Sequence, residues 1–103
     1  MVGRKTYQNS KGDIFNTIYD IIELQKGKLI LSDTRLGRLQ YQVTMYDYSW
    51  EILYTITETS GSRSDVTIRI IGDRQDKQKE IRREFALLES MLLGGADVKI
   101  GDG

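Results

Sequence analysis

The chain has 103 residues, 39% of them hydrophobic and 29% charged, which suits a single domain with one core and little room for a large ligand cavity. Its 15 basic residues balance its 15 acidic ones, so a charge-driven partner such as nucleic acid is disfavoured. Histidine and cysteine are both missing, which excludes Ser-His-Asp triads, cysteine nucleophiles, zinc sites and disulfide frameworks.

The N-terminal MVGRKTYQ has no apolar signal core, and no apolar run reaches the roughly 18–20 residues of a membrane span. The default expectation is a cytoplasmic protein. Val2 to Gln8 reads as an edge strand. Ser10-Lys11-Gly12-Asp13 has the spacing of a helix N-cap. Ile14, Phe15, Ile18, Ile21 and Ile22 follow on one helical stripe, with Gly27 as the expected stop. Leu29 to Ser32 reads as a strand, and Asp33 to Gly37 as a turn.

The period then changes to two. Leu39, Tyr41, Val43 and Met45 alternate with polar residues. So do Trp50, Ile52, Tyr54 and Ile56, and then Val66, Ile68 and Ile70. A first hairpin is expected to pair Met45 with Trp50, Val43 with Ile52 and Tyr41 with Tyr54, around a loop of Tyr46 to Ser49. A second is expected to pair Ile56 with Val66, Tyr54 with Ile68 and Ile52 with Ile70, turning at Gly61. Both registers gather the large apolar residues on one face. A long helix follows, with Asp73 as its expected cap and Asp76 in its first turn. Its buried stripe is Ile81, Phe85, Leu88 and Leu92, widened by Leu87 and Met91. The alternating charges of KQKEIRRE predict a solvated helix face. Residues 1–94 should form one domain, and residues 95–103 a flexible tail.

These elements predict an α+β fold of two layers, a curved antiparallel sheet in the order β-α-β-β-β-β-α packed by two helices. That element order resembles the TATA-box-binding-protein half-domain and the helix-grip group of START-type and birch-pollen-allergen lipid binders. The segment ILSDTRLGRLQYQV also looks like small bacterial domains of this shape. The resemblance covers the chain up to Gly94. The helix-grip likeness implies a ligand held between sheet and helices.

Tyr41, Trp50 and Tyr54 are therefore either core or the lining of a small apolar pocket, with their polar tips meeting a ligand. Tyr46 and Tyr48 in the expected loop, and Leu53 and Ile71 on the otherwise polar opposite face, are candidates for an interaction surface. The polar face holds Glu51 and no phenylalanine, unlike a minor-groove-binding sheet. No carboxylate spacing implies acid–base chemistry or a metal loop, and no phosphate loop is present. The expectation is a non-enzymatic binding or interaction module without cofactor or metal. Its partner would be a protein or a small apolar ligand. The alternative is an assembly subunit, a homo-oligomer joined through the exposed sheet face.

Overall fold

A computed structural model describes residues 2–72 and 76–94. The chain runs β1 (Val2–Tyr7), α1 (Lys11–Leu24), β2 (Lys28–Asp33), β3 (Arg38–Met45), β4 (Tyr48–Ser60), β5 (Arg63–Gly72) and α2 (Lys77–Gly94). The strands form one antiparallel sheet in the order β1-β5-β4-β3-β2. Both helices lie on one face: α1 packs on β4, α2 on β5 and β1, and the helices touch each other. The fold is therefore α+β in two layers, and the inner sheet face is the floor of the core.

Local chemistry explains the boundaries of α1. The Ser10 side chain accepts the Asp13 N–H at 3.2 Å, satisfying one of the helix's orphan donors. At the other end, Lys26 N–H donates to Glu23 O at 3.1 Å and Gly27 N–H to Ile22 O at 2.8 Å, a Schellman closure. The helix stops just before Gly27, as expected, and the left-handed residue of the closure is Lys26, with φ 54°. Gly27 is required for a different reason: a Cβ there would stand 2.7 Å from the Tyr41 ring. Helix α2 is capped by Asp76, whose Oδ1 accepts the Lys79 N–H at 2.9 Å. The expected cap Asp73 and the expected tail 95–103 lie outside the described residues.

The β4–β5 hairpin has the expected register, with Ile56 opposite Val66, Tyr54 opposite Ile68 and Ile52 opposite Ile70. The β3–β4 hairpin is displaced by two residues. Val43 faces Trp50, Tyr41 faces Ile52, and Met45 faces Tyr48. The loop is Tyr46-Asp47 alone, so Tyr48 and Ser49 belong to β4 and Met45 lies exposed beyond the core. A slip of two preserves the facing of every side chain, so the inner face still gathers Leu39, Tyr41, Val43, Trp50, Ile52, Tyr54, Ile56, Val66, Ile68 and Ile70. Against it pack Ile14, Phe15, Ile18, Ile21 and Ile22 of α1 and Ile81, Phe85 and Leu88 of α2. Leu87, Met91 and Leu92 are partly buried at the margin.

Candidate functional site

The charge-alternating segment of α2 is not uniformly solvated. Glu84 is 1% exposed and Glu80 5%. Glu84 lies three residues after Ile81 and four before Leu88, so helical geometry directs it into the core with them. There its carboxylate meets the two inner-face tyrosines. The Tyr54 hydroxyl donates to Oε1 at 2.5 Å. The Tyr41 hydroxyl lies 2.8 Å from both oxygens and donates its one proton to either. Gln25, just beyond the end of α1, donates Nε2–H bonds to Oε2 at 3.1 Å and to the Tyr41 oxygen at 2.7 Å. The two phenol rings run nearly parallel, 16° apart, with centroids 6.5 Å apart. At the solvent edge Arg83 lies 3.7 Å from Glu80 Oε1 and 4.0 Å from Glu84 Oε2.

This cluster joins α1, β3, β4 and α2 through one carboxylate. Burial pushes the Tyr41 and Tyr54 phenols well above their ordinary value, and the nearby Glu84 charge pushes them further. Both therefore stay protonated and act as hydrogen-bond donors, not as bases or nucleophiles. Tyr41 and Tyr54, expected as core or pocket lining, are wholly buried, and their hydroxyls end on Glu84. Trp50, the third of that set, is 3% exposed, between Val43 and Gly72 in the sheet.

The expected interaction residues divide into two places. Tyr46 stands at the hairpin tip, 91% exposed, with Tyr48 and Met45 beside it. Leu53 and Ile71 lie on the outer face of the sheet, opposite the helices. There the register builds cross-strand rows: Arg38–Thr55–Thr67–Arg4, then Gln40–Leu53–Arg69–Val2, then Gln42–Glu51–Ile71. A hollow of about 440 Å³ opens over the first two rows, lined by Val2, Arg38, Leu53, Thr55, Thr67 and Arg69. Among the described residues, neither Arg38 nor Arg69 makes an ion pair. Glu51 accepts a hydrogen bond from Gln40, and Asp65 accepts one from Thr6 at 2.7 Å. These acids stand on the rows either side and narrow the cationic strip.

The alternation in the sequence puts Arg38 and Arg69 at outer-face positions of their strands, but their convergence on one hollow is set by strand register. Sequence reasoning missed Glu84 and Gln25. The signal for Glu84 was present: it occupies the +3 position of a stripe whose 0, +4 and +7 positions are Ile81, Phe85 and Leu88. Among the described residues no cluster of potential metal ligands occurs, and no helix is long and apolar enough to cross a membrane. In comparisons with known proteins, no family model matches the chain, and no curated protein matches it significantly.

Proposed function

We propose that this chain is a non-enzymatic interaction module whose contact surface is the outer face of its sheet, where it takes up an acidic segment of a partner protein. The observation that carries this is the hollow between Arg38 and Arg69, two arginines without ion-pair partners among the described residues, above Leu53, Val2, Thr55 and Thr67. Arginine pairs bidentately with carboxylates. The threonine hydroxyls add hydrogen bonds, and Leu53 with Val2 gives an apolar floor for the stems of the ligand's side chains. The acids on the flanking rows favour a short acidic peptide over an extended polyanion, which would need a longer basic track.

The β-α-β4-α order with both helices on one face also supports placing the fold with the TATA-box-binding-protein half-domain and the helix-grip group. An apolar ligand held between sheet and helices would have to displace side chains already in contact and break the Tyr41–Glu84 and Tyr54–Glu84 bonds. That favours the outer face over the interior as the place where binding happens.

Titration of the isotope-labelled chain with an aspartate-rich peptide, followed by amide chemical shifts, tests the reading. Shifts are expected at Leu53, Thr55, Thr67 and Arg69, and they should vanish in Arg38→Gln/Arg69→Gln. Shifts confined to the hairpin tip, or unaltered by that double substitution, would exclude it.

A further inference from the structure

Two strands end the sheet, and they are protected unequally. β1 presents Arg4, Lys5 and Thr6, with Lys5 bonded to Glu89 at 2.8 Å and lying 5.2 Å over the Phe85 ring. Charged side chains of this kind are how edges are kept from pairing. Among the described residues β2 has no such guard at its centre, where Leu29, Ile30 and Leu31 are exposed by 46%, 46% and 40%. An apolar, proline-free edge with its backbone groups open invites another strand.

We propose that the strand it takes is β2 of a second copy of this chain, paired antiparallel about a two-fold axis perpendicular to the sheet. The ends of the strand are complementary: it begins with Lys28 and finishes with Asp33. An antiparallel pair sets Lys28 against Asp33 of the second copy, and does so twice by symmetry. Leu29 then faces Ser32, and Ile30 faces Leu31. In a regular strand this register fails, because residues five apart point to opposite faces. Here the ladder shifts between Leu29 and Leu31, a bulge that inserts one residue and resets the alternation. Lys28 lies opposite Gln42 and Asp33 opposite Arg38, both on the outer face. Leu29 lies opposite Tyr41 and Ser32 opposite Leu39, both on the helix side. The bulge thus gives the two halves of β2 matching faces, which a two-fold axis of this kind requires.

The neighbouring side chains fit the same arrangement. The Ser32 hydroxyl contacts that of Tyr19 on α1, so Leu29 meets the Ser32–Tyr19 pair of the second copy and covers Tyr19, which is 37% exposed. Asp33 Oδ1 accepts the Leu36 N–H at 3.0 Å, leaving Oδ2 for Lys28 of the other chain.

Sedimentation equilibrium of the intact chain over a range of concentrations tests the proposal. A reversible dimer is expected, weakened at least about tenfold by Ile30→Asp, which buries a charge in the joint. Because Ile30 is exposed, circular dichroism should show an unchanged fold; Lys28→Glu, which sets an acid against Asp33, is the second variant should it not. The chain has no cysteine, so oxidation of mixed Lys28→Cys and Asp33→Cys chains should give a linked dimer in far higher yield than either chain alone. A monomer at every concentration, a dimer indifferent to both charge variants, or equal cross-linking in separate and mixed chains overturns the proposal.

Discussion

Glu84 sits in the apolar stripe of α2 and brings a carboxylate into the interior, where an unpartnered charge would cost several kcal/mol. Tyr41, Tyr54 and Gln25 surround it with donors, so the cost is offset by charge-assisted hydrogen bonds. The same bonds connect four elements through one residue, which makes Glu84 a position where packing and polar satisfaction must agree. Tyr54→Phe removes one donor and should lower the unfolding free energy by about 1.5–3 kcal/mol, read from urea midpoints. Glu84→Leu should cost more, since it leaves both buried phenol hydroxyls without their acceptor and removes one of the two acceptors of Gln25. Combining Glu84→Leu with Tyr41→Phe and Tyr54→Phe should recover part of that loss, because removing both phenol donors together with their acceptor leaves less unsatisfied. If the triple substitution were as damaging as the sum of its parts, the cluster would not be acting as a unit.

At the level of elements, the β3–β4 hairpin turns on a residue poorly suited to the task. Tyr46 holds a φ of 57° and is 91% exposed, so its left-handed backbone costs about 1–2 kcal/mol with little burial in return. Tyr46→Gly relieves that strain and adds some unfolded-state entropy, for a net gain of about 0.5–1 kcal/mol in a urea titration. A loss on substitution would mean that the ring does more for stability than its exposure shows. The same residue explains what could be read from the sequence. The β4–β5 register was legible because alternation on both strands and the turn at Gly61 point to one pairing. At β3–β4 the alternation permits registers two residues apart, and only a glycine or asparagine at the turn would have separated them. Both helix stripes were legible from their spacing, whereas nothing in KLILSD shows that β2 would lie uncovered at an edge. That depends on where the helices settle.

Across the whole molecule, a two-fold axis perpendicular to the sheet would leave both outer faces on one side, so that the proposed dimer would present two arginine hollows to one partner surface. The helix side carries a different global property. Tyr7, Tyr41 and Tyr54 are all held protonated, by burial first and then by the nearby Glu89 or Glu84. Their folded pKa values are raised above the ordinary 10.0, so above that pH the unfolded chain releases protons that the folded chain keeps. The unfolded state then binds fewer protons, and stability falls as pH rises. This contribution is fully present below pH 10 and is lost progressively above it. Glu89 works in the opposite direction: hydrogen bonds from Lys5 and Tyr7 lower its pKa from 4.5, and its contribution is lost as pH falls through the lowered value. Its side chain is 35% exposed, so solvent screens that contribution and the alkaline limb should be the steeper. Phenolate absorbance checks this in a chain carrying Tyr19→Phe, Tyr46→Phe and Tyr48→Phe, where Tyr7, Tyr41 and Tyr54 alone report. Absorbance should rise in step with the loss of circular dichroism, and adding Tyr54→Phe should flatten the alkaline limb. Ionisation of all three phenols while the fold stayed intact would mean that the sheet–helix interior admits water, and with it a ligand, beside Glu84.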